Sequence, residues 1–316
     1  MRREAAAAAL TLLLIPFAVP ALAGSTIVPY TVHVNGRPAD GLLALPDPGG
    51  PQPTVLVVMA HGYGHHVDPS WLNHLREVAD RGYVAVAMDY GQTFQVREGA
   101  EESVAAAVDL QDEYGIDRAV MFSVSMGGAI AGYALAETPG VFDDWIDVEG
   151  VSMLAETWAE AKAVEHPAAG EIEEETGGTP TDVPMEYVRR SAALRAGGIR
   201  VGGLQHAIVV HAINDGLVPY DQGREMATAL RGVGIPTTFH TVLRGSCAEQ
   251  GTTGTDALLG SAPIEDNNPA CLAGHASEAS STHPVMRTGL DSLFGLLDGS
   301  DVPITYAEKV VDAPDP

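Results

Sequence analysis

Three residue types that together can cleave an acyl bond are a hydroxyl nucleophile, an imidazole base and a carboxylate. This chain offers all three. The nucleophile is Ser125, in a stretch where four apolar residues, Ala119 to Phe122, lead into Ser123-Val124-Ser125-Met126-Gly127-Gly128 and then a run of small residues reaching Ala134. The pattern predicts a strand, a sharp turn and a helix. A turn this tight strains its central residue and tolerates only small neighbours two positions to either side, which is the logic of the GxSxG elbow. Here Ser123 stands in place of the first glycine and Gly127 keeps the second. Ser125 is expected at the apex, with the backbone amide of Met126 at the helix N-terminus supplying half of an oxyanion hole. Candidate carboxylates are Asp215, in the tight turn 214–216, and Asp147, inside an earlier strand. Candidate bases are His275 and His283, whereas His240 lies inside a strand and reads as an ordinary sheet residue. His61, His65, His66 and Asp68 also cluster, which invites a metal reading, but no HExxH-like helix accompanies them. No metal or cofactor is expected.

Elements able to hold these residues follow from the hydrophobic pattern. Residues 26–34 and 41–45 predict short strands parted by Asn35-Gly36, a hairpin signal. Residues 54–60, 83–90, 119–122 leading into the elbow, 145–151, 207–212 and 237–243 predict buried strands, with helices over 71–81, 101–114, from the elbow to 137, 219–232 and 284–297 between and after them. Strands that alternate with helices and read as near-continuous apolar runs predict a mainly parallel sheet covered on both faces, in one domain over residues 24–316. Residues 155–202 are an insertion of the kind that forms a cap. It carries a helix over 155–164, an acidic surface run over 171–175 and a loop rich in Gly, Thr and Pro over 177–184. Met153, Leu154 and Trp158 suit either an acyl pocket or plain packing against the sheet.

The elbow and the order of elements resemble the α/β-hydrolase superfamily, in particular its secreted esterase, cutinase-like and dienelactone-hydrolase-like members. The resemblance implies an α/β-hydrolase fold over nearly all of residues 24–316. It also implies that the loop His61-Gly62-Tyr63-Gly64 supplies the second oxyanion donor, the amide of Tyr63, with the Tyr63 ring beside the bound acyl group. A turn of the type Asp215-Gly216-Leu217-Val218-Pro219 carries the acid in that superfamily, so Asp215 is implied as the acid and Asp147 as the second choice. The base is implied after the last strand, at His275, while His283 precedes Pro284 and reads as the start of the closing helix. The order Ser, Asp, His agrees with the superfamily. The expected activity is therefore that of a serine hydrolase acting on small or polymeric carboxylic esters. A prolyl-oligopeptidase-like peptidase is the nearest alternative, weakened by the lack of an N-terminal propeller in the sequence, and a noncatalytic binding protein on a retained hydrolase fold is the third.

Composition narrows partners and compartment. Of 316 residues, 42 are acidic against 17 basic, a formal charge of −25, and the only lysines are Lys162 and Lys309. Such a surface repels phosphate backbones, which argues against a nucleic-acid partner. Lysine-poor acidity fits both adaptation to concentrated salt and a compositional bias. Residues 1–23 combine Arg2 and Arg3, a short apolar run interrupted by Pro16, and Ala21-Leu22-Ala23, which reads as a cleavable signal peptide rather than a membrane anchor. A secreted protein without stable membrane insertion is expected, and in that setting Cys247 and Cys271 are expected to pair as a disulfide.

Overall fold

A computed structural model describes residues 24–67, 71–213, 215–243, 275 and 281–311. Among the described residues nine strands form a single sheet in the order β1-β2-β4-β3-β5-β6-β7-β8-β9. β1 (Thr26–Val34) and β2 (Arg37–Leu45) make the antiparallel opening hairpin. Asn35 and Gly36 both have positive φ, 51° and 79°, the two left-handed positions that a two-residue hairpin turn requires. β2 also pairs antiparallel with β4 (Val84–Met88), whereas β4, β3 (Val55–Ala60), β5 (Arg118–Val124), β6 (Asp144–Val148), β7 (His206–Ala212) and β8 (Thr237–Val242) pair with one another in parallel. This is the α/β-hydrolase-type fold.

The continuous apolar runs follow from cover on both faces. In β3, Leu56, Val58 and Ala60 enter the core beneath α2 (Val96–Tyr114), α3 (Gly127–Glu137) and α8 (Tyr220–Gly232), while Val55, Val57 and Met59 enter the core beneath α1 (Leu72–Asp80) and α9 (Pro284–Asp298). Period-two alternation thus divides one strand between two cores.

Three features differ from the sequence expectation. α2 begins at Val96, about a turn earlier than its apolar pattern suggests. A further edge strand, β9 (Ala307–Val311), pairs parallel to β8; it is short and its residues are alternately half-buried and exposed, so it carries no apolar run to announce it. The insertion between β6 and β7 is more helical than its loop-like composition suggests, with α4 (Leu154–Ala163), α5 (Ala168–Thr176), α6 (Pro184–Arg189) and α7 (Ala196–Val201). Among the described residues no helix is long and apolar enough to cross a membrane.

Parallel register sets the stage for the site. Val124 pairs with Val148, and Val148 with Val210. The next residue on each strand, Ser125, Glu149 and His211, therefore forms a row across the carboxyl ends of β5, β6 and β7, where open α/β sheets present their chemistry.

Candidate active site

The elbow is built by close approach. Ser125 has φ 56°, the left-handed conformation that a non-glycine residue adopts only when its surroundings over-determine it. Here the Ser125 N–H donates to the Val148 carbonyl at 3.0 Å, and the Ser125 carbonyl accepts from Gly128 and Val151, each at 2.9 Å. A Cβ on Gly127 would lie 2.3 Å from the Ala60 carbonyl oxygen, so glycine at this position lets α3 start against β3. Ser125 is half-exposed while Ser123, Val124, Met126 and Gly127 are buried. The chain thus presents one hydroxyl and hides its neighbours.

Ser123, the departure from GxSxG, has its own task beneath the elbow. Its hydroxyl donates to Asp147 Oδ1 at 2.8 Å and accepts from the Trp145 indole N–H at 2.8 Å. Asp147 is almost fully buried, and burial pushes its carboxyl up to about 6 against the opposing bond from Ser123. As the second choice for the acid, Asp147 is displaced: its described hydrogen bond goes to Ser123, and the histidine is met by other carboxylates.

Asp215 and His275 come together. The Asp215 turn closes on itself, with Oδ1 accepting from the amides of Leu217 at 2.8 Å and Val218 at 3.0 Å. Its Oδ2 lies 2.6 Å from His275 Nδ1 and 3.4 Å from His211 Nε2. Burial raises the Asp215 carboxyl, but the charge of His275 and the bonds from His211 and His275 outweigh it and hold the group below the usual carboxylate range. His283 is buried at the N-cap of α9 with neither ring nitrogen hydrogen-bonded among the described residues, and burial first, then the nearby His275, lowers it to about 4. His240, within β8, is likewise buried and held at about 4.

Sequence reasoning missed Glu149. It follows β6 directly, is fully buried, and has φ 51°. Its Oε1 accepts from the Ala212 amide at 2.9 Å, and its Oε2 lies 3.4 Å from His275 Nδ1. The available signal was a carboxylate one residue beyond a buried strand, in register with Ser125.

The oxyanion loop follows β3. His61 is buried and stacked on Tyr90 with ring centroids 3.9 Å apart, and burial lowers it to about 4 despite its bond to the Gly62 carbonyl. That neutral ring places Nδ1 2.9 Å from the Gly62 oxygen. Because C=O and N–H point oppositely across a trans peptide, fixing the Gly62 oxygen also fixes the direction of the Tyr63 N–H. The Tyr63 side chain is oriented toward the cap: its hydroxyl donates to Glu171 Oε1 at 3.1 Å, and burial together with that carboxylate pushes the phenol up to about 12. Glu171 Oε2 accepts from the Phe94 amide at 3.3 Å, and Glu175 Oε1 accepts from the Arg97 amide at 3.1 Å and the Arg190 guanidinium at 2.8 Å. Glu173 takes the Trp158 indole N–H at 2.9 Å. The acidic run 171–175, read from sequence as a solvated surface, is thus largely a set of acceptors that fasten the cap over the start of α2.

Donor atoms of Glu149, His211 and Asp215 lie within 4.8 Å of one another, a spacing that could hold a metal ion. Hydrogen bonds already account for them: His211 Nε2 lies 2.8 Å from the Val218 carbonyl and so carries a proton, and both carboxylates face His275. In the His61 cluster, His61 turns to Gly62 and His66 Nδ1 to Asp89 at 2.8 Å. Asp68, Asn214, Cys247, Cys271 and residues 1–23 lie outside the described residues.

A family model of the prolyl oligopeptidase family matches residues 73–245. Similar solved structures include an acylaminoacyl peptidase of Pyrococcus horikoshii at 15% identity, covering 70% of this chain and 37% of that one with a TM-score of 0.57. A puromycin-hydrolyzing peptidase of Mycobacterium tuberculosis aligns at 18% identity over 93% of this chain and 42% of that one, with a TM-score of 0.60. Dipeptidyl peptidase 4 of Porphyromonas gingivalis aligns at 17% identity over 69% of this chain and 32% of that one, with a TM-score of 0.54. At these identities the likeness is one of fold, and this chain spans less than half the length of each. No curated protein matches in sequence. The resemblance to cutinase-like and dienelactone-hydrolase-like esterases finds no support beyond the shared superfamily.

Proposed function

The chain belongs to the prolyl oligopeptidase family, and from that premise we propose that it is a serine peptidase cleaving short peptide amides through an acyl-enzyme. The observation that carries the reading is the buried 2.6 Å contact between Asp215 Oδ2 and His275 Nδ1, on the same sheet edge as the strained, half-exposed Ser125. Asp215 holds His275 in the tautomer whose Nε2 can take a proton. Ser125 Oγ attacks the scissile carbonyl as His275 removes its proton; the amides of Met126 and Tyr63 receive the oxyanion; His275 then protonates the leaving amine. Water repeats the sequence in reverse and releases the acid. No cofactor enters.

The esters expected from the sequence would react by the same steps, with a leaving alcohol that needs less help from the acid. The amide reading takes precedence because the family and the three structural relatives are described as peptidases. The names of these relatives also suggest the substrate class: small compounds cleaved near an amino or acylated amino terminus. Residues 1–23 support export of the enzyme, with residues 24–316 as its hydrolase domain and Cys247 and Cys271 paired outside the cell.

The test is labelling with a fluorophosphonate probe, followed by turnover of aminoacyl, acyl-aminoacyl and dipeptidyl anilides beside short- and long-chain p-nitrophenyl esters. Labelling should vanish in Ser125→Ala, with turnover falling on the order of 10⁶-fold. Cleavage of esters alone, with every anilide untouched, would return the enzyme to the esterases. Labelling that survives Ser125→Ala would remove Ser125 as nucleophile.

A further inference from the structure

Two carboxylates face one imidazole nitrogen at this site, and the proposed mechanism uses one of them. Asp215 Oδ2 is 2.6 Å from His275 Nδ1, and Glu149 Oε2 is 3.4 Å from the same atom. Both side chains are fully shielded from solvent. The geometry points to Glu149 as a second positioning carboxylate of the His275 base, able to hold the Nδ1 proton when Asp215 is removed. This inference rests on the hydrolase reading of Ser125 and His275.

The placement of Glu149 is built. Its φ of 51° sets the residue in a conformation costly for a side chain of this size, and its amide donates to the Val210 carbonyl at 2.8 Å, anchoring it to the end of β7. The Ala212 amide donates to Oε1 at 2.9 Å, which leaves Oε2 as the atom nearest His275. Asp215 hangs from the turn after β7, so the two acids approach the ring from different strand ends. Among the described residues, His211, His283 and Glu160 are further titratable groups around them, Glu160 repelling Asp215.

A carboxylate so placed acts differently in the two states of the cycle. While His275 is neutral, a negative Glu149 gains little from the ring and is repelled by Asp215. When His275 becomes an imidazolium, the same charge attracts it at short range in a water-poor site, where such interactions are strong. Stabilisation that arises only as the proton moves raises turnover rather than substrate binding. Loss of Asp215 would leave Glu149 a few tenths of an ångström beyond ordinary hydrogen-bond distance from Nδ1, within the reach of a side-chain adjustment.

The experiment compares Asp215→Ala, Glu149→Gln and the double variant in the full chain. Glu149→Gln retains an oxygen for the Ala212 amide. Without a stand-in, loss of a triad acid costs about 10⁴-fold in kcat. Asp215→Ala alone is expected to lose only about 10²-fold, Glu149→Gln about tenfold with KM unchanged, and the double variant to fall to about 10⁴-fold. A loss of about 10⁴-fold in Asp215→Ala, not deepened by Glu149→Gln, would overturn the proposal. Proton NMR adds a readout free of turnover: the low-field Nδ1 proton of His275 should persist in Asp215→Ala and disappear in the double variant. Its disappearance in Asp215→Ala would likewise overturn the proposal, and both single-variant readings stand even if the double variant does not fold. Should the wild type cleave neither amides nor esters, the hydrolase reading fails while the Nδ1 proton still decides the role of Glu149.

Discussion

The carboxyl end of β6 and the residue after it carry two acids two positions apart, Asp147 and Glu149, both hidden from solvent and turned to different purposes. Beneath the elbow, Asp147 closes a network with Ser123 and Trp145, in a space so tight that a Cβ on Gly150 would lie 2.0 Å from its Oδ1. Above the elbow, the left-handed turn at Glu149 breaks the strand's alternation and brings the next carboxylate to His275. Burial is the same in both; the partner differs. One acid finds a hydroxyl already bonded to the Trp145 indole and serves the fold, and the other finds an imidazole already held by a second acid and serves the proton.

The widest test of this division sets the two buried histidines against each other. His275→Ala should lower turnover on the order of 10⁶-fold, as loss of a triad base does, with little change in melting temperature. His283→Ala should leave turnover within about tenfold, since among the described residues neither of its ring nitrogens has a hydrogen-bond partner and burial, by lowering it to about 4, keeps it neutral at working pH. Anilide or ester kinetics on the two variants decide it, and the reverse ranking would break the comparison.

How much of this could be read beforehand depended on where the physical cause lay. The central strands were legible because cover on both faces leaves continuous apolar runs, as in residues 55–60. Ser125 was legible because a strained turn leaves a local trace, the small residues on either side. Asp215 sits in a turn whose Asp-Gly pair is likewise local. His275 was another matter, placed by resemblance and not by its neighbours. Glu149 left only a faint trace, a carboxylate at the end of a buried strand: its φ is imposed by contacts with β7, which nothing in its neighbours along the chain announces. The run 171–175 misled for a related reason, since the amides it receives, those of Phe94 and Arg97, lie 77 and 78 residues away. β9 was hidden because half-buried edge residues carry too little pattern.

A smaller effect sharpens the lower half of the comparison. Ser123→Ala removes the donor to Asp147 and the acceptor of the Trp145 indole, and should cost about 2–3 kcal/mol of stability while Ser125 still reacts with a fluorophosphonate. The loss should depend on pH. Asp147 is held at about 6 in the fold, above its unfolded value of about 3.8, so folding takes up a proton. Its burial costs nothing extra below the unfolded value and weighs fully once pH has risen through 6. Without Ser123 to bond the carboxylate, that weight grows, so denaturant melts should show a larger difference from wild type at pH 8 than at pH 5. An equal difference at both would mean that Asp147 is not the group being served.

The smallest effect concerns the strut between cap and oxyanion loop. Glu171 accepts from the Tyr63 hydroxyl and from the Phe94 amide, one oxygen to each. Glu171→Gln keeps the shape, its oxygen accepting from the Phe94 amide and its NH2 able to donate to the Tyr63 oxygen, so what is lost is the charge of the Tyr63 bond, at a cost of about 1 kcal/mol. The amide of Tyr63 is steered separately, through His61 and the Gly62 carbonyl, so turnover should fall only a few-fold. The phenol gives the more specific reading. Burial is the larger cause of its rise to about 12 and the Glu171 charge the second, so the variant should titrate below wild type yet remain above a free tyrosine. An ultraviolet difference titration, with Tyr63→Phe subtracted to isolate this ring from the others, measures the shift. A phenol unmoved by Glu171→Gln would mean that the cap does not rest on the oxyanion loop in solution.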